Sequence, residues 1–265
     1  MAENQRVLEV VVLGTGASVG VPVVGCACPV CTSPDERNRR MKPSIWLRCR
    51  DRSILIDTST DLRHQALRFG IERLDAILYT HAHADHVLGL DDIRIYNFRQ
   101  REPIPIYASE ETFEGVARMF WYIFAQTQEG GGKPKVYHRA IHDAPFSVFG
   151  VPVVPIPVHH GNLHIHGFRL GPFAYVTDCS HLPDASARLL EGVDTLLLNA
   201  LRYTKHPTHN NLEETLALIE RLGPRTAYLT HMTHEMDHDA VEAQTPDHVH
   251  PAYDGLRLRF PLPGA

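Results

Sequence analysis

Apolar positions along the chain repeat with two different periods. Short apolar runs at 7–13, 54–56, 74–79, 151–156, 173–177 and 227–230 read as buried strands, each too short for a packed helix. Between them, helical spacing is seen at 61–69, 110–125, 183–191 and 211–222, and Gly223-Pro224 supplies a stop signal after the last of these. Strands alternating with helical stretches predict an α/β (α+β) domain whose sheets are covered by helices. Residues 113–124 carry Phe120, Trp121, Tyr122 and Phe124, and the spacing predicts a core helix, with a lid beside the site as the alternative. The glycine-rich segment 129–134 reads as a mobile loop.

The polar residues that follow the apolar runs are the more informative ones. Immediately after 74–79 the chain reads Thr80 and then His81-Ala82-His83-Ala84-Asp85-His86. Two His at i and i+2 on extended backbone share a side and can grip one cation, while Asp85 and His86 on the next turn reach a second. Two other runs also end in Thr before a ligand type: Thr177 precedes Asp178 and Thr230 precedes His231. Open sheets expose their crevices beyond strand carboxyl ends, so these three runs predict convergence on one site. A further imidazole is expected from His159-His160-Gly161; His160 is the choice, with His159 second, because Gly161 permits a sharp turn.

A second cluster lies near the N-terminus, where Cys26, Cys28 and Cys31 fall within six residues. Disulfides between them would close very small loops, and Cys49 and Cys179 sit in apolar surroundings without evident partners. A tetrahedral zinc knuckle at about 25–32 is the expectation, with His234, three residues beyond His231, as its fourth ligand. Such a closed site would brace the loop that carries His231. A redox role has no strand–CxxC–helix context to support it. Gly14-Thr15-Gly16 lacks the spacing of a nucleotide loop and reads as a tight turn.

The order of these motifs resembles the metallo-β-lactamase superfamily, whose H-x-H-x-D-H loop is followed by a His, a bridging Asp and a final His. The resemblance implies a single domain over 1–265 with a four-layer αββα sandwich. It also implies that His81, His83 and His160 hold one divalent metal, that Asp85, His86 and His231 hold another, and that Asp178 bridges them. The Cys loop, the His231-x-x-His234 ending and the segment 56–63 look like the phosphodiesterase branch, which includes cyclic phosphodiesterases of the carbon–phosphorus lyase pathway and, more distantly, tRNase Z. In that branch Asp57 orients the metal loop. His209, before the helix at 211–222, faces the substrate phosphate there, as suits a helix entrance. The implied activity is hydrolysis of small, cyclic ribose phosphodiesters by a metal-bridging hydroxide, with Asp85, Asp178 and His209 as catalytic residues. Thioester or lactam hydrolysis is one alternative, and an iron-dependent oxidative protein related to quinone-cofactor biosynthesis is another. Donor types do not choose between Mn²⁺, Zn²⁺ and iron at the catalytic pair; Zn²⁺ is expected in the Cys site. A homodimer is implied by the resemblance alone.

Composition narrows the partners. The 265 residues, 43% hydrophobic, suit one substantial domain. A net charge of −5 disfavours long nucleic acid, which calls for a basic footprint, and points to a small-molecule substrate. Residues 1–6 are polar rather than signal-like, and no run is long enough to cross a membrane, so a cytoplasmic location is expected, where reduced thiols suit zinc.

Overall fold

The computed structural model describes residues 7–126 and 132–262; residues 129–131 of the glycine-rich segment lie outside them. Strands β1 (Val7–Gly14), β2 (Ser44–Cys49), β3 (Arg52–Ile56), β4 (Ala76–Leu78), β5 (Ile104–Ala108) and β6 (Val136–Ala140) build most of one sheet. The other holds β7 (Phe146–Val148), β8 (Val151–His160), β9 (Leu163–Leu170), β10 (Phe173–Val176), β11 (Thr195–Asn199), β12 (Thr226–Thr230) and β13 (Val249–Pro251). The last strand, β14 (Arg257–Pro261), returns to the first sheet beside β1. The orders are β14-β1-β2-β3-β4-β5-β6 and β13-β12-β11-β10-β9-β8-β7.

Both sheets repeat one pairing plan. Reading from β14, three antiparallel pairings are followed by three parallel ones, and the switch comes at β3. Reading from β7, the same succession switches at β10. No sequence repeat announces this duplication.

Side-chain alternation along the strands produces the layers. Val10, Val12, Ile54, Ile56 and Leu78 face Phe173, Tyr175 and Leu197 across the space between the sheets. Their neighbours Val11, Leu13, Leu55 and Ile77 point outward, against Leu62 of α1 (Leu62–Phe69) and Tyr96, beyond the short α2 (Ala84–Val87), in α3 (Arg94–Gln100). Val116 of α4 (Glu110–Met119) joins that layer. A four-residue α5 (Trp121–Phe124) and α6 (Asp184–Leu189) follow. On the far face Ala174, Val176, Leu196 and Leu198 pack against Leu212 and Ile219 of α7 (Leu212–Leu222) and Val241 of α8 (His238–Glu242). The result is the expected helix–sheet–sheet–helix sandwich, in which each fully buried aliphatic or aromatic side chain contributes about 1.5–3 kcal/mol.

Local chemistry sets the helix limits. Asn211 and Glu214 form a reciprocal capping box at the start of α7, and Gly223 ends it in the left-handed region at φ 62°. The single helix expected over 110–125 is instead broken at Phe120, whose φ −110° and ψ 38° are not helical. Phe120 and Ile123 turn into the core, whereas Trp121 remains 63% exposed. Aromatic density alone does not say which ring is buried.

Candidate dinuclear metal centre

The carboxyl ends of five strands, four of them with a parallel neighbour, bring the expected residues together. Asp57 follows β3, His81 lies just past β4, Asp178 comes after β10, His231 directly after β12, and His160 is the last residue of β8. Donor atoms of His81, His83 and His160 lie within 4.8 Å of one another, as do those of Asp85, His86 and His231. Asp178 joins both neighbourhoods, in one group with His81 and His86 and in another with His160 and His209. His159, the second choice beside His160, instead turns its ring toward His164 and His181.

Asp57 is fully buried and is not among the grouped donors, but it supports them from behind. Its Oδ1 accepts the backbone N–H of Thr80 at 2.9 Å, and its Oδ2 accepts the Thr80 hydroxyl at 2.9 Å and the His86 ring at 2.7 Å. Because a buried carboxylate in this position accepts, His86 Nδ1 carries a proton, and Nε2 is the nitrogen turned toward Asp178 Oδ2, at 3.3 Å. His160 is set in the same way: its Nδ1 donates to the Thr208 carbonyl at 2.7 Å, which frees Nε2.

Three residues of the site hold left-handed backbone without being glycine: Asp57 at φ 63°, Asp178 at φ 55° and His231 at φ 56°. Such conformations cost about 1–3 kcal/mol each and persist where the surrounding structure fixes them. Here they turn the side chains off the strand ends and into the crevice. Gly161, at φ 59°, makes the tight turn after His160; a Cβ there would meet Thr208 Cγ2 at 2.8 Å.

The electrostatics suit cation binding. Burial opposes ionisation of Asp85 and Asp178, yet His231 and His86 outweigh it and hold both carboxyls well below their ordinary range. Burial keeps His81, His83 and His160 below the usual imidazole value, so that their rings are neutral donors of lone pairs. His86 alone goes the other way: burial would lower it, but the charges of Asp178 and Asp57 raise it well above. A proton there occupies the place a cation would take.

Unpartnered atoms provide a separate test of fit. His81 Nε2, Asp85 Oδ2, His86 Nε2 and His231 Nε2 are buried and make no hydrogen bond. Leaving one such polar atom unsatisfied costs about 1–3 kcal/mol, and four gathered in one crevice call for a common partner. The donor set of imidazoles and carboxylates fits divalent metal ions.

The Cys cluster assembles as expected. Cys26 Sγ and Cys28 Sγ each lie 3.4 Å from His234 Nδ1, and Cys26, Cys28, Cys31 and His234 place four donors within 4.8 Å. The Cys31 amide, followed by His234, lowers the Cys28 thiol to about 6, whereas burial pushes Cys31 up to about 11. Cys49 and Cys179 are buried apart from it, and all five thiols are free. Bracing of the His231 loop does not fall to these residues alone. Arg40, 1% exposed, donates to the carbonyls of Thr233 and Met236, and Asn38 bonds Asp237 and the amide of His238.

Sequence reasoning missed Thr80, Thr208 and Arg40. The recurrent Thr before each ligand was the available signal for Thr80, whose hydroxyl bonds Asp57. Thr177 likewise donates to the neighbouring Asp178, at 2.6 Å. Thr208 acts largely through its backbone carbonyl, which any residue type supplies.

A cavity of about 320 Å³ adjoins the cluster, lined by His81, His83, Gly115, Arg118, Leu163 and His164 among others. Gly115 lets α4 touch the loop of residues 81–86, since a Cβ there would lie 2.6 Å from that of Ala82.

Residues 52–232 match the beta-lactamase superfamily domain, and with this fold the chain belongs to the metallo-β-lactamase superfamily. More particularly, it resembles a solved diphosphatase from the PhnP family, with a TM-score of 0.91 and 42% identity over 97% of this chain and 98% of that one. An octanoyltransferase of Porphyromonas gingivalis is 35% identical over 252 residues, which are 94% of this chain and 51% of that protein. The chain thus spans about half the length of that relative. Coenzyme PQQ synthesis protein B of Methylobacterium nodulans is 26% identical over 225 residues, 72% of each.

Proposed function

We propose that this chain is a dinuclear metal hydrolase that cleaves small phosphodiesters, cyclic ribose phosphates foremost. The observation that carries the reading is the convergence of seven candidate ligands from four separate segments of the chain around unpartnered buried donor atoms, with His209 against Asp178 at 2.9 Å. His81, His83 and His160 would hold one cation, Asp85, His86 and His231 the other, and Asp178 both. Bound there, two divalent ions would supply charge neutralisation for phosphoryl oxygens and activation of water near neutral pH.

The chain's own residues do the rest. Asp57 and Thr208 hold His86 and His160 with the correct nitrogen bare. His209 delivers a proton to the departing oxygen, a contribution of roughly two to four orders of magnitude. The cavity beside His81 and His83 accepts a sugar-sized group, and the net charge of −5 disfavours a polynucleotide. Cys26, Cys28, Cys31 and His234 would hold a structural Zn²⁺, which suits a reducing cytoplasmic compartment. Among the described residues, no helix is long and apolar enough to cross a membrane.

The likeness to a PhnP-family diphosphatase favours a second substrate in the same class, a diphosphate whose P–O–P bridge is opened by attack on phosphorus. Elemental analysis followed by a substrate panel tests these readings. Turnover of bis-p-nitrophenyl phosphate, nucleoside cyclic phosphates or dinucleoside diphosphates supports phosphorus chemistry and ranks the two. Turnover confined to nitrocefin or glutathione thioesters refutes it, as would oxygen consumption by an iron-loaded protein without hydrolysis.

A further inference from the structure

His206, Thr208 and His209 form a hydrogen-bonded cluster that the ligand set does not use. The Thr208 amide, which can only donate, points at His206 Nδ1 from 3.3 Å, so this nitrogen is an acceptor. His209 Nδ1 lies 3.2 Å from the same atom, so an N–H on it is directed at an acceptor. On the opposite side of the ring, His209 Nε2 faces Asp178 Oδ1 at 2.9 Å. The Thr208 hydroxyl stands between the two rings, 3.0 Å from His209 Nδ1 and 3.2 Å from His206 Nδ1.

We infer that His206 is a positioning residue for His209. The terminal torsion of an imidazole is broad, so one hydrogen bond at Nε2, with the His160 and His231 rings 4.5 and 5.0 Å away, does not by itself fix which way the ring is turned. An acceptor at Nδ1 restricts that freedom and, with both ring nitrogens protonated as a proton donor requires, keeps the Nε2–H directed at the crevice. The rings meet at 59° with centroids 5.1 Å apart, a tilted contact made at the nitrogens rather than a stack. The acceptor is itself anchored, because the carbonyl of Thr208 takes the His160 N–H while Gly161 lets Thr208 pack close. His206 is only half-buried and makes no approach to a ligand residue that would give it a place in the cation shell.

This inference rests on the proposed role of His209 as proton donor, and the experiment separates the two. His209→Ala, His206→Ala and His206→Asn are compared, metal-loaded, on bis-p-nitrophenyl phosphate, whose leaving group needs no proton, and on a nucleoside 2′,3′-cyclic phosphate, whose alkoxide does. His206→Ala should lower kcat on the cyclic phosphate about tenfold more than on the aryl ester, with KM and metal content near wild type. His206→Asn, which keeps an acceptor close to the Nδ1 position, should regain most of that loss. Equal losses on both substrates, or none, overturn the inference while leaving His209 in place, provided His209→Ala shows the leaving-group dependence. If His209→Ala shows none, both fall. A crystal structure of His206→Ala reads the same point without turnover: the His209 ring should occupy more than one orientation, and an unmoved ring overturns the inference.

Discussion

Replacing Asp57 by Asn is the sharpest test of how the crevice is held, because it changes charge and hydrogen-bond sense with almost no change of shape. Asn tolerates the left-handed backbone at φ 63°, so the substitution does not act through strain. Its amide has one accepting and one donating end, whereas both ends of Asp57 meet donors, Thr80 N–H at one and His86 Nδ1 at the other. Set with its NH₂ toward Thr80, the amide opposes two donors; set toward His86, it donates to Nδ1 and moves the ring proton to Nε2, where the ligand lone pair is required. Loss of one charge-assisted hydrogen bond costs about 1.5–3 kcal/mol. Supporting carboxylates of this kind are worth roughly 10–100-fold in metal affinity, which is about 1.4–2.7 kcal/mol, so the two magnitudes agree. Titration of metal-free protein with Mn²⁺ or Zn²⁺ by calorimetry, with circular dichroism to confirm folding, measures the effect. A folded Asp57→Asn protein that binds metal as tightly as wild type would refute the assignment.

Other perturbations have equally definite outcomes. Asp178→Ala should lose metal from both sites and with it turnover, read by elemental analysis; wild-type metal content would contradict the bridging role. Cys28→Ser should release about one zinc per chain and lower the melting temperature, because a closed Cys₃His site contributes to folding rather than chemistry. Gly89→Ala should destabilise the protein by about 1–3 kcal/mol in urea, since the new Cβ would sit 2.2 Å from the Ser59 carbonyl and 2.7 Å from Leu62 Cβ. Burial pushes Asp254 up to about 7 from an ordinary 3.8, so between those values the folded state keeps a proton that the unfolded chain has released. Stability should therefore fall as pH rises from about 4 to 7, and Asp254→Asn should flatten that slope; a slope unchanged by the substitution would exclude Asp254 as its source.

How much could be read beforehand depended on whether the chemistry was local in the chain. His81 to His86 are contiguous, and the apolar run before them marks a strand end, so both ligand type and placement were legible. Asp178 and His231 lie far away but carry the same local cue, an apolar run closing on Thr. The stop of α7 at Gly223 was readable for the same reason. What escaped was set by tertiary geometry: the switch from antiparallel to parallel pairing, the choice of ring nitrogen by Thr208, and the interior place of Arg40, a charged residue in a polar segment. The break at Phe120 escaped too, because helical spacing continues through it.

The two sheets place Asp57 and Asp178 at corresponding points, each just beyond the strand where pairing changes sense, each in the left-handed region. One architectural half-unit therefore offers the same outward-turned carboxylate twice, and the neighbours decide its employment: in the first half it grips a ring from behind, in the second it stands in the crevice. Exchanging such jobs asks for new surroundings rather than a new backbone, so relatives with this frame can diverge in reaction while keeping both acids where they are.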